Sequence, residues 1–68
     1  MASVARVTEI STRSDQSFED ALRTGIERAN KTLRNVRGAW VKEQGVDIED
    51  GRIVAYKVNL LVTFVLDD

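Results

Sequence analysis

From position 54 to 66 every even-numbered residue is large and apolar: Val54, Tyr56, Val58, Leu60, Val62, Phe64 and Leu66. A period of two is the signature of a strand with one continuous apolar face. The odd positions (Ile53, Ala55, Lys57, Asn59, Leu61, Thr63, Val65) are mixed rather than plainly solvated. At about 3.3 Å per residue, a strand over 54–66 spans roughly 40 Å. Upstream the period changes. Phe18, Ala21, Leu22, Ile26, Ala29 and Leu33 follow the spacing of an amphipathic helix with one buried stripe. Ser17 is placed as its N-cap, with Asp20 three residues on as a variant capping box. Glu19 and Asp20 suit the positive end of the helix dipole. Gly25 falls on the buried stripe, where glycine costs roughly 1 kcal/mol against alanine; close approach of a strand is the expected compensation.

The remaining segments are weaker in pattern. Residues 3–11, rich in Val, Thr and Ile, predict a first strand, and 12–16 a polar connection. Residues 35–38 end the helix, and 39–48 form a second strand whose alternation changes phase. Ala39 and Val41 are odd-numbered, whereas Val46 and Ile48 are even-numbered. A one-residue slip turns side chains to the wrong face unless a β-bulge absorbs it, and the expected place is Glu43-Gln44-Gly45. Asp50-Gly51 marks a tight hairpin turn. The predicted architecture is α+β: a single domain over 1–68 with order β-α-β-β, a three-stranded curved antiparallel sheet wrapped around one helix. Tyr56 and Phe64 are expected in its core. One helix cannot cover a 40 Å strand, so the uncovered surface is expected to meet other copies of the chain.

Composition sharpens this expectation. A chain of 68 residues buries only about 60% of its unfolded surface and usually needs disulfides, a metal or oligomerisation for stability. With no cysteine and no histidine, disulfides and zinc-finger sites are excluded, which leaves self-association. Ten basic and eleven acidic side chains give a net charge of −1, and so no general attraction to nucleic acid or an anionic membrane. No apolar run approaches the roughly 20 residues that cross a bilayer. The first residues lack a signal-peptide pattern, and a cytoplasmic location is expected.

Catalytic chemistry finds little support. Neither a Cys nor a His is available to build a nucleophile–base pair, and the glycines at 25, 38, 45 and 51 are too dispersed for a phosphate loop. The chain is therefore not expected to be an enzyme. Glu43, Asp47, Glu49 and Asp50 gather around the hairpin, and Asp67 and Asp68 end the sequence. Such oxygens bind calcium or magnesium where symmetry assembles several copies; otherwise they are a solvated tip and tail. Arg23, Arg28, Lys31, Arg34 and Arg37 make the later helix and its exit basic, with Glu27 and Lys31 spaced for an i,i+4 pair. Trp40, the sole tryptophan, suits a core or interface position. Lys57 interrupts the long strand, either paired with an acid or lining a pocket.

Taken in order, these residues resemble the dodecins over essentially the whole chain. The likeness is carried by Val4-Ala5-Arg6-Val7-Thr8-Glu9-Ile10, by Ser17-Phe18-Glu19-Asp20-Ala21 with Ile26-Glu27-Arg28-Ala29 and Thr32-Leu33, and by Glu43-Gln44-Gly45-Val46. Asp50-Gly51, Tyr56-Lys57-Val58 and Phe64-Val65-Leu66-Asp67 complete it. The resemblance implies a hollow homododecamer of 23 symmetry with a binding and storage role. Many dodecins hold riboflavin, FMN or lumichrome as stacked pairs between subunits, some hold coenzyme A, and some are associated with calcium.

The resemblance also marks departures from the flavin site. The family's flavin-stacking tryptophan corresponds to Gly38, and the glutamine that reads the ring's polar edge corresponds to Lys57. Arginines that meet phosphate in some members correspond to Gly45 and Val65, while Glu43 keeps an acidic character. Strand alternation returns Trp40 to the face of Gly38. The implied pocket comprises Arg37, Gly38, Trp40, Glu43, Gln44 and Lys57. The leading expectation is a dodecameric binding assembly that holds an anionic or polar ligand rather than flavin. A flavin-storage dodecin and a calcium-binding assembly are the alternatives, and the cofactor stays unassigned.

Overall fold

The strand with the strictest alternation takes the centre of the sheet. In a computed structural model that describes residues 2–67, the chain runs β1 (Ala5–Ser14), α1 (Phe18–Thr32), β2 (Val36–Glu49) and β3 (Arg52–Val65). The sheet order is β1-β3-β2, and both neighbours of β3 are antiparallel to it. A central strand has hydrogen-bonded neighbours along both edges and leaves no unpaired backbone edge to solvent. The molecule is long and thin, 52 × 19 × 13 Å.

Helix α1 lies over β1 and β3 and scarcely reaches β2. Its buried residues, Ala21, Gly25 and Ala29, repeat every four positions and form a stripe of small side chains on which the sheet closes. Val58, Leu60 and Val62 fill the other side of the contact at 1%, 0% and 0% exposure. Gly25 is the point of closest approach. A Cβ there would collide with Thr12 Cγ2 and stand 3.0 Å from Leu60 Cδ1, so the expected compensation for a mid-helix glycine is present. A helix of this length covers only about 22 Å, against roughly 46 Å for a strand of β3's length. The hairpin end of the sheet therefore projects beyond the helix. Tyr56 meets Phe18 edge to face at 5.0 Å; it and Phe64 are half-buried rather than fully enclosed.

Element boundaries differ from the sequence reading for local reasons. Residues 12–14 continue β1 instead of opening a connection, because their polar side chains find partners, Arg13 on β2 and Thr12 and Ser14 on the helix. Thr12 Oγ1 donates to Ala21 O at 2.7 Å, and Ser14 Oγ donates to Asp20 Oδ2 at 2.7 Å. Ser17 caps α1 as expected, its hydroxyl accepting from Asp20 N at 2.9 Å. Asp20, however, is held by Ser14 and does not reach back to Ser17 in a closed capping box. The helix ends at Thr32, where the Leu33 N–H bonds Ala29 O. Asn35 then turns the chain with φ 62°, tied by Nδ2 to Asp67 Oδ1 at 2.7 Å, so β2 starts at Val36.

Register shifts in β2 fall at Val36/Gly38, Val41/Glu43 and Asp47/Ile48. The central irregularity is at Lys42, beside the expected Glu43-Gln44-Gly45 run, which itself pairs in unbroken register with Asn59, Val58 and Lys57. The Asp50-Gly51 turn has positive φ at both residues, 51° and 77°, as a type I′ hairpin requires. No helix among the described residues is long and apolar enough to cross a membrane.

Candidate functional site: the helix-free face of the sheet

Residues opposite one another in an antiparallel ladder share a face. Thr8, Ile10 and Thr12 pair with Val62, Leu60 and Val58 and belong to the helix side. Glu9, Ser11 and Arg13 pair with Leu61, Asn59 and Lys57 and belong to the opposite, helix-free side. On β2, Gly38 and Trp40 oppose Thr63 and Leu61, while Glu43, Gly45 and Asp47 oppose Asn59, Lys57 and Ala55. The shift at Lys42 is what brings these two groups onto one face, because strict alternation would separate even-numbered Trp40 from odd-numbered Glu43.

Across that face the polar side chains are paired between strands. Asp47 sits at the centre of a three-strand cluster: Lys57 Nζ reaches Oδ1 at 2.8 Å, and Arg13 Nε donates to Oδ2 at 3.1 Å. The hydrogen bond from Lys57 and then that from Arg13 hold the Asp47 carboxyl below the usual carboxylate range. Asn59 Nδ2 donates to Glu43 Oε1 at 2.8 Å. Farther along, Lys42 Nζ donates to Glu9 Oε1 at 3.1 Å, spanning from β2 to β1 across β3. The alternatives for Lys57 prove compatible, since it both pairs with an acid and lines a cavity.

The pocket residues expected from the sequence divide between two hollows in the isolated chain. Glu43, Gln44 and Lys57 line a polar hollow of about 360 Å³ together with Ser11, Gly45 and Asn59. Gln44 opposes Val58, so alternation carries its side chain toward the helix side. Arg37, Gly38 and Trp40 line a separate, more apolar hollow with Ala39 and Thr63. Trp40 is 70% exposed, and a side chain at Gly38 would enter free space, with nothing within 4 Å of its Cβ. The sequence reading missed Arg13, Ser11 and Asn59 as neighbours of Lys57. It counted Asp47 among the hairpin acids. Only the pairing of β1 and β2 to β3 puts these residues together, and Arg13 had been read as part of a connection.

Among the described residues two further ion pairs lie away from this face. Arg34 Nη2 lies 3.3 Å from Asp67 Oδ2. The helix pairs Glu19 with Arg23 at 2.9 Å rather than Glu27 with Lys31. Among the described residues no three acidic side chains converge on a common metal position; Asp68 lies outside them.

Comparison with protein families matches the dodecin family over residues 4–67. Solved structures agree. The dodecin from Streptomyces davaonensis is 35% identical with a TM-score of 0.91, and the match covers 100% of both chains. The dodecin from Streptomyces coelicolor is 32% identical with a TM-score of 0.90, over 97% of this chain and 94% of that one. A calcium-chelating immunodominant antigen from Mycobacterium tuberculosis, described as a calcium dodecin, is 32% identical with a TM-score of 0.81, over 96% and 93%. No curated protein sequence matches the chain.

Proposed function

The chain belongs to the dodecin family, and on that footing we propose that it is a non-catalytic binding and storage protein. It forms a homododecamer and holds a ligand other than flavin between subunits. The observation that carries this reading is the chemistry at the two positions where flavin recognition is expected. Gly38 offers no ring, and stacking on an aromatic contributes about 1–3 kcal/mol per ring by analogy with bases. Lys57 offers donors only, and its ammonium is already engaged by Asp47 at 2.8 Å. Self-association is supported by the exposure of Val7, Trp40, Ile48 and Ile53, each more than half exposed in the single chain. Such surface in a soluble chain marks an interaction site.

Native mass spectrometry of the protein as purified tests the assembly and its contents together. A species near 91 kDa, twelve times 7.6 kDa, carrying no flavin-sized increments, is the expected result. Flavin-sized increments transfer the assignment to a flavin-storage dodecin with Trp40 as the stacking ring. Metal-sized increments removed by a chelator transfer it to a calcium assembly, the reading supported by likeness to the Mycobacterium tuberculosis protein. A monomer or dimer overturns the proposal. The double substitution Gly38→Trp with Lys57→Gln is expected to create flavin binding, seen as quenching of flavin fluorescence on mixing.

A further inference from the structure

The polar hollow has a feature that its own lining does not explain. Lys57 stands at its edge with a charge that ought to favour anions, yet the charged groups around the hollow balance. Glu43 and Lys57 line it with one charge of each sign, and Asp47 and Arg13, joined to Lys57 outside the lining, add one more of each. The balance is built across strands rather than along one. Arg13 comes from β1, Lys57 from β3 and Asp47 from β2, and each carboxylate oxygen of Asp47 takes a different cation, at 2.8 Å and 3.1 Å. Two-point attachment fixes the carboxylate and restrains both longer side chains. Glu43 lines the hollow and is held through one carboxylate oxygen by Asn59 at 2.8 Å.

We infer that Asp47 is the specificity-determining residue of the polar hollow: by engaging Lys57 and Arg13 it suits the hollow to a polar small molecule of no net charge, with both donors and acceptors, and turns away multiply charged anions such as phosphate. This rests on the reading of the helix-free face as the ligand pocket, and narrows the anionic-or-polar ligand expected from the sequence to its polar half. A bare Lys57–Arg13 pair beside a cavity is a phosphate site in chemical terms, since both side chains are donors without acceptors. With Asp47 between them, an incoming phosphate must displace a carboxylate already bound to both cations. The depressed Asp47 pKa, caused by the same two partners, fits a carboxylate that stays ionised and in place at neutral pH.

The test uses inorganic phosphate as the probe, titrated calorimetrically into the assembled protein with chloride held at equal ionic strength. Wild type is expected to bind weakly or not at all. Asp47→Asn, which keeps the shape and removes the charge, is expected to bind phosphate roughly tenfold or more tightly, the scale set by removing one unit charge a few ångströms away at a half-exposed site. Lys57→Gln added to Asp47→Asn is expected to abolish the gain. Asp47→Ala must behave as Asp47→Asn does, which guards against a variant that fails to assemble. Equal phosphate affinity in wild type and Asp47→Asn overturns the role of Asp47 and leaves the pocket reading standing. No phosphate binding by any variant also overturns it, and the pocket reading is then judged separately by the mass of retained ligand in wild type.

Discussion

The two faces of β3 carry alternate residues of one strand, yet their partners come from different places. On the helix side Val58, Leu60 and Val62 are sealed to within 1% of full burial against Ala21, Ala29 and the half-buried Ile10, Leu22 and Ile26. On the other side Lys57, Asn59, Leu61 and Thr63 stand in a face with no helix. Cross-strand polar pairs and a strongly exposed Trp40 share that face. Apolar alternation on the first face is answered within the chain. On the second, apolar and polar side chains are interleaved in a way that neither a core nor a purely solvated surface calls for. The difference separates the face that stabilises the single chain from the face that the chain leaves open.

The strongest way to break the comparison is to disrupt the sealed face. Leu60→Ala leaves a cavity under α1 and is expected to destabilise the subunit by about 2–5 kcal/mol, read as a lower denaturant midpoint with unchanged slope. Gly25→Ala comes next. Helix propensity favours alanine by about 1 kcal/mol, but the new methyl collides with Thr12, whose hydroxyl is anchored to Ala21 O at 2.7 Å. Overpacking of about 1–3 kcal/mol is expected to prevail, so the melting temperature falls; a rise shows that β1 shifts away at little cost.

Leu61→Asp addresses the open face. It is expected to reduce the assembly to smaller species by native mass spectrometry while far-ultraviolet circular dichroism is retained. Persistence of the full assembly shows that this part of the face is not an interface. The smallest effect concerns Asp47. Its folded pKa is lowered by Lys57 and Arg13, so its contribution to stability is fully present above the ordinary aspartate range near pH 4 and lost as pH falls through the depressed folded value. Asp47→Asn is expected to flatten that part of the acid-unfolding curve only slightly, because the pairs are partly exposed and screened.

Legibility followed the range of the interactions involved. The helix, its Ser17 cap, the Asp50-Gly51 turn and the alternation of β3 are consequences of neighbours a few residues apart, and each was readable in order along the chain. The length of β1 was misread because Thr12 and Ser14 look like loop residues until Ala21 and Asp20 are set beside them. The bulge was anticipated from the phase change between Val41 and Val46, but its position at Lys42 depends on how Glu43 and Asn59 meet.

The candidate pocket residues were legible only in part, and through resemblance. Gly38, Trp40, Glu43 and Lys57 could be named from family positions, whereas Arg13 and Asp47 as partners of Lys57 could not. Periodicity reports the face a residue shares with its own strand, and by itself determined the α+β class, the buried stripes and a third strand too long for one helix. It carries no information about which strand lies alongside. The order β1-β3-β2, and with it the meeting of Arg13, Lys57 and Asp47 from three separate strands, was decided by tertiary pairing, because hydrogen-bonded registry between distant segments is a property of the folded sheet.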